Sequence, residues 1–294
     1  MEKAKVYFTK EITPESLIRM YETVGKKLEG KVAVKMHSGE KGNQNYLRPE
    51  FVKDIVQHVN GTVVECNTAY EGARNSTEKH RELIKEHEWE KYFPFDLLDA
   101  EGPDMELNIP NGKVLKKNYV GKNLKNYDSM LVLSHFKGHA MGGYGGALKQ
   151  LSIGCASSKG KTLIHTAGVT DDQTKLFENL PEQDRFLEAM ADAAFSVVDY
   201  FKGNIIYINV MKNISVDCDC DGNASAPCMQ DIGVLVSLDP IAIDQACLDL
   251  VYHSDDPGKE KLIQRIESLH GVHTVEAANE LGFGTREYEL ISID

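Results

Sequence analysis

The chain has 294 residues, 41% hydrophobic and 27% charged, and a formal net charge of -12 from 33 basic and 45 acidic residues. That length and balance suit one large α/β unit and exclude a disordered chain. The acidity excludes a nucleic-acid partner or an anionic membrane surface, both of which require concentrated basic surface.

The amino terminus, MEKAKVYFTKE, carries charges where a secretion signal has its apolar core. No run approaches the roughly 18 apolar residues of a membrane span, so the expected location is the cytoplasm. Leu17, Ile18, Tyr21, Val24 and Leu28 recur at helical spacing and predict a helix over 14–28, stopped by Gly30. A strand over 32–36 follows, then a helix over 49–59, a strand over 62–66 and a helix over 76–87. Residues 92–126 are rich in Asp, Asn, Lys, Gly and Pro and predict short strands and loops that decorate a sheet. The apolar run 129–134 reads as a buried central strand.

Beyond it the pattern predicts a helix over 187–201, strands over 204–210 and 232–236, and helices over 240–251 and 259–269, with Asp239 capping the first of these two helices. Helices alternating with short apolar strands predict an α/β fold, with a mixed, largely parallel sheet flanked by helices on both faces. No internal repeat or low-complexity tract interrupts it. The chain reads as one unit over 1–294, with residues 168–184 as an exposed connection that would divide it into 1–167 and 185–294.

Four segments carry chemistry at predicted strand ends, where open α/β sheets bind ligands. In the first, HSGEKGN, His37 is a candidate catalytic group beside two glycines and a charged cluster; a plain glycine turn with solvated charges is the competing reading. In the second, Arg74, Asn75 and Ser76 follow Glu65 and Cys66 and either hold an anion or cap the next helix.

The third segment, SHFKGHAMGGYGGALKQLSIGC, offers His135, His139 and Lys149 for acid–base, nucleophilic or charge-clamping roles. Its glycines Gly142, Gly143, Gly145 and Gly146 suit a loop whose backbone approaches a ligand or cofactor. Lys159, Lys161 and His165 return basic groups to the same neighbourhood.

The fourth, DCDCD, sets two soft sulfur donors, Cys218 and Cys220, among three aspartates. The pair is either a metal site needing a histidine or carboxylate from elsewhere, or two free thiols. The six cysteines at 66, 155, 218, 220, 228 and 247 are too sparse and uneven for a disulfide-stapled secreted scaffold. Their spacing also lacks a ferredoxin-type cluster motif.

The motifs HSGEKGN (37–43), SHFKGHAMGGYGGALKQLSIGCAS (134–157), DCDC (217–220) and DIGVLVSLDPIAIDQACLDLV (231–251) together resemble the family known as domain of unknown function 362, several of whose members are called iron–sulfur centre proteins. Many members carry a two-cluster ferredoxin insert; residues 168–184 contain no cysteine from which to build it. The spacing of His139, Gly145-Gly146, Lys149 and His165 is more distantly similar to that of lactate racemases. That resemblance implies His139 as acid–base, Lys149 as anchor of a nickel pincer nucleotide and His165 as metal ligand.

Taken together, these readings give an expected enzyme of isomerase, racemase or oxidoreductase type, dependent on a transition metal (nickel, iron or zinc) or a metallo-cofactor. Its expected substrate is a small anionic metabolite, and its reaction a proton or hydride transfer. The alternative is a non-catalytic metal-binding or redox-partner protein with its metal on Cys218 and Cys220.

Overall fold

The computed structural model describes residues 3–294; Met1 and Glu2 of the charged amino terminus lie outside the described residues. The first third of the chain forms β1 (Ala4–Thr9), α1 (Pro14–Thr23), β2 (Val32–Lys35), α2 (Pro49–His58), β3 (Gly61–Glu65), α3 (Thr77–Glu86) and β4 (Phe95–Leu97). The middle forms β5 (Met105–Asn108), β6 (Lys117–Val120), β7 (Ser129–His135), β8 (Lys137–His139), β9 (Gly143–Gly145), α4 (Ala147–Leu151) and α5 (Ser158–His165). The remainder forms α6 (Gln183–Phe201), β10 (Ile205–Met211), β11 (Gly233–Ser237), α7 (Pro240–Tyr252), α8 (Lys259–Ser268), α9 (His273–Leu281) and β12 (Tyr288–Ser292).

Eight strands make one sheet in the order β12-β1-β11-β10-β7-β2-β3-β4, and five of its seven pairings are parallel. This is the mixed, largely parallel α/β sheet expected from the alternation of elements. β7 and β10 are buried along their whole length, and their unbroken apolar runs divide by the strand's period of two. Met130, Val132, Ile205 and Tyr207 face one core, which contains residues of α4, α6, α7 and α9. Leu131, Leu133, Ile206 and Ile208 face the other, against Leu17 and Met20 of α1 and Val52, Ile55 and Val56 of α2.

The predicted caps form. Asp239 accepts from the N–H groups of Ile241 and Ala242, and Ser76 accepts from that of Lys79. Several boundaries differ from the sequence reading. α1 stops at Thr23 rather than residue 28, and Tyr21 Oη then accepts the Leu28 N–H at 2.9 Å, tying down the turn that follows. α6 starts four residues earlier than the apolar spacing indicates, at Gln183. Residues 92–126 do form short strands: β4 extends the main sheet at its edge, whereas β5 and β6 make a separate antiparallel pair. Residues 168–184 hold a single turn of 3-10 helix, Gln173–Lys175, and leave Val169, Phe177 and Leu180 exposed. Among the described residues no helix is long and apolar enough to cross a membrane.

Candidate functional site

Because β2, β3, β7 and β10 run parallel, their carboxyl ends share one edge of the sheet. Lys35 and His37 stand at the end of β2, Glu65 at the end of β3, His135 at the end of β7, and the Cys218 loop beyond β10. The Cys218 loop is clamped by the segment after β2. Glu40 N–H donates to the Asp219 carbonyl at 2.8 Å, and the Asn43 side-chain amide donates to the carbonyls of Cys218 (3.3 Å) and Asp221 (2.8 Å). From the other side β8 presses against it. Gly138 N–H donates to Ser215 O at 2.8 Å, and a Cβ on Gly138 would lie 2.1 Å from the Val216 carbonyl oxygen. Only glycine permits that approach.

Ligand atoms of His139, Cys218 and Cys220 lie within 4.8 Å of one another. The two cysteine side chains lie side by side. The Cys220 S–H, aided against the cost of burial by the Lys149 and Lys137 ammonium groups, holds Cys218 well below the usual thiol range. The same interaction, with burial, pushes Cys220 well above it. Lys149 Nζ stands 3.7 Å from Cys218 Sγ, and the Cys220 N–H points at that sulfur as well. A cysteine so surrounded is a thiolate, the form that binds soft metals and attacks electrophiles.

His139 Nδ1 accepts two backbone N–H groups, from Met141 at 3.2 Å and Gly142 at 2.8 Å. The lone pair on that nitrogen is taken, so the neutral ring carries its proton on Nε2. His37 is arranged alike: its Nδ1 accepts the Gly39 N–H at 3.0 Å. Burial, reinforced by Arg74, keeps the His37 ring neutral, well below the ordinary histidine range.

His135 serves a different purpose. Its Nδ1 meets Asp219 Oδ1 at 2.8 Å and its Nε2 meets the Lys212 carbonyl at 2.5 Å, the hydrogen bonding of an imidazolium. Lys137 Nζ joins from 2.9 Å, so Asp219 lies between two buried cations. Burial alone would raise the Asp219 carboxyl; His135 and Lys137 instead hold it well below the carboxylate range. This triad fixes the loop between the two cysteines.

A second buried carboxylate, Glu65, accepts from Arg74 Nη1 at 3.0 Å, the Ser38 N–H at 3.0 Å and the His80 ring at 3.3 Å. Burial works to raise it, and the Arg74 guanidinium with the His80 hydrogen bond overcomes that and keeps it ionised. Arg74 also donates to Glu40 at 3.1 Å. Arg74 is thus taken up by two carboxylates of the protein itself, and Ser76 by the capping of α3.

Two cavities meet here. The inner one, about 30 Å³ of space for solvent centres, is lined by Lys35, Arg74, Lys149 and Lys161 with His37 and Glu65. The outer one, about 410 Å³, includes Met141, Phe177 and Glu71. Tyr70, His139, His165 and Cys220 line both and form the throat between them. His165 lies outside the His139–Cys218–Cys220 group: its Nδ1 meets the Lys161 carbonyl at 2.6 Å, its ring stacks on Phe186, and burial pushes it down to about 4.

Gly142, Gly143, Gly145 and Gly146 are not among the residues lining either cavity. They let the loop pack on the protein itself; at Gly146 a Cβ would lie 2.4 Å from Asp244 Oδ1. Lys35 was invisible to sequence reading because it sits inside an apolar strand. Asp219 carried no signal of its role as a charge hub beyond its place between the two cysteines.

The fold and site define an α/β protein with a pair of neighbouring cysteines at the carboxyl edge of its sheet, beside a cation-lined cleft. The chain belongs to the family described as domain of unknown function (DUF362), whose model matches residues 32–249. No curated protein sequence matches it. It is similar to a crystal structure of a Thermotoga maritima protein at 13% identity and a TM-score of 0.43, covering 92% of this chain and 59% of that one. It is also similar to the lactate racemase apoprotein of Thermoanaerobacterium thermosaccharolyticum, at 12% identity and a TM-score of 0.47, covering 86% of this chain and 58% of that one. The chain therefore spans less than two thirds of the length of either structure.

Proposed function

We propose that the protein is an enzyme that moves a proton on a small anionic metabolite, with a soft transition-metal ion held by Cys218 and Cys220 as its cofactor. The observation that carries this reading is the convergence of His139, Cys218 and Cys220, with ligand atoms within 4.8 Å of one another, where His139 and Cys220 line a cavity that four cations also line.

The thiolate pair suits a soft ion. Cys218 is the sulfur held toward the thiolate form, and Cys220 would give up its proton to hold an ion beside it. An ion held by the two cysteines would supply a Lewis-acid site. His139 fits a different role. A metal-ligating histidine ordinarily donates from its other nitrogen, whereas His139 receives two N–H groups there. Its Nε2 is the proton-bearing atom, aimed by the loop and unable to flip without losing both bonds. We therefore assign the ion to the two cysteines, and to His139 the Nε2–H hydrogen bond that would hold a substrate oxygen as it gains charge. Lys149, 3.7 Å from Cys218 Sγ, offsets the charge of the pair and gives the cleft wall a cation toward which an anionic substrate is drawn. The neutral His37 is a second ring able to donate from Nε2 into the inner cavity.

Cobalt(II) titration of metal-free protein tests the ion's ligands, because thiolate-to-cobalt charge transfer is visible in the near ultraviolet. The expected band appears in wild type and in His139→Gln and is absent from Cys218→Ser and Cys220→Ser. A wild type without the band, or serine variants that keep it, contradicts the assignment.

A further inference from the structure

Two cations of the inner cavity have no anionic hydrogen-bond partner in the protein. Lys35 Nζ donates to the Met36 carbonyl and, at 3.0 Å, to Gln150 Oε1. Lys161 Nζ donates to the Ala156 carbonyl at 2.6 Å. All these acceptors are uncharged, and both side chains are at most 5% exposed. Arg74 spends Nε and Nη1 on Glu40 and Glu65, while its Nη2, equally buried, has no hydrogen-bond partner in the protein. Lys149 already faces the Cys218 thiolate.

A buried ammonium without a counter-charge is costly, and so is an unpartnered guanidinium nitrogen. Lys35 and Lys161 together with the free arm of Arg74 surround one small space. We propose that the inner cavity binds a compact dianion, the phosphoryl or phosphonyl end of a small metabolite, on Lys35, Lys161 and Arg74 Nη2.

Charge and size both select this group. Lys35 and Lys161 meet only neutral acceptors and Arg74 has one nitrogen unpartnered, all lining one space of about 30 Å³, and a phosphoryl group carries close to two charges on one centre with three acceptor oxygens. A dicarboxylate carries the same charge on two groups set apart by carbon and would need two separated sites. Arg74 adds the planar donor geometry that suits such oxygens. Burial pushes Lys35 down to about 8, which leaves it charged at neutral pH.

The throat residues tell where the rest of the ligand goes. With its anionic end among Lys35, Lys161 and Arg74, a metabolite extends past Tyr70, His139, His165 and Cys220 into the outer cavity. The atoms nearest the anionic end then lie against His139. The inference rests on the reading of this cleft as the substrate site and names the class of substrate it takes.

The test is calorimetric titration of inorganic phosphate into the full chain at low ionic strength and neutral pH, on metal-free and cobalt-loaded protein. The expected result is one phosphate per chain, bound about tenfold or more tightly than acetate, and weakened about tenfold or more in Lys35→Met and in Lys161→Met. Both variants should melt no lower than wild type, since each removes an uncompensated buried charge. Folded variants that bind phosphate as wild type does, or a wild type that prefers acetate or binds neither anion, overturn the proposal. Cobalt uptake without phosphate binding defeats this inference alone; phosphate binding without cobalt uptake leaves it standing and defeats the metal assignment.

Discussion

His165 is buried against Phe186 with its ring held neutral, and that has a measurable effect on stability. Its pKa falls from an ordinary 6.5 to about 4 on folding because burial disfavours the imidazolium. A group whose folded value is depressed contributes stability in full above its unfolded value and loses it as pH falls through the folded one. The window is therefore pH 6.5 to about 4, and the loss is at most about 3 kcal/mol for this residue. His37 and His80, also lowered by burial, act with the same sign; Asp244, raised to about 6, opposes them. His165→Phe keeps the stacking and removes the titration. Urea unfolding across this window should show the variant losing about 2 kcal/mol less than wild type on acidification. Parallel losses in the two proteins would contradict the assignment of a neutral His165.

At the scale of single residues, His139, Lys149, Cys218 and Cys220 were legible because each is a reactive type in an unusual local sequence. Their partners were not. Lys35, Asp219 and Glu40 act through residues far away in the chain, as when Asp219 meets His135 or Glu40 meets Arg74, and a single sequence does not encode such meetings in any local pattern.

Helix α4 shows how an element positions the site. It is only five residues long, Gly146 at its N-cap offers no side chain, and yet it carries Lys149. Its first N–H groups, those of Ala147 and Leu148, are accepted at 2.7 and 3.0 Å by Asp244 of α7. The cap thus comes from another helix, and Asn209 of β10 holds the same carboxylate at 2.8 Å. A Cβ at Gly146 meets this carboxylate at 2.4 Å, so Gly146→Ala must either displace Asp244 or tilt α4. We expect a loss of roughly 1–3 kcal/mol in urea unfolding. An unchanged midpoint would show that Asp244 does not fix this turn.

Among the elements, β7 and β10 could be read from sequence because strands buried on both faces are continuously apolar. β1 and β12 escaped notice, since β1 carries a lysine and β12, at the sheet edge, is half-exposed with no clean alternation. α4 and α5 were obscured by the glycines around them, and α9 by a polar surface that hides its four buried residues.

For the whole molecule, the parallel core accounts for the location of the site, and the charge distribution for its character. A chain of net charge -12 gathers Lys35, Arg74, Lys137, Lys149 and Lys161 beneath the carboxyl edge of its sheet, each at most 5% exposed. The carboxylates buried among them, Glu65, Glu40 and Asp219, do not balance the lysines of the inner cavity. What remains is a cationic interior in an acidic protein, suited to draw a small anion inward. Domain organisation was less legible in the sequence, because the strands of the single main sheet come from both halves of the chain and interleave.

The central claim is that Cys218 and Cys220 hold a soft metal ion beside a proton-carrying His139. It is tested most directly by elemental analysis, with intact mass on the same sample, of untagged protein purified without air from its native host. The account predicts about one equivalent of transition metal per chain, lost from Cys218→Ser and retained in His139→Gln. Metal-free protein of unmodified mass, or a metal content indifferent to Cys218→Ser, would contradict it.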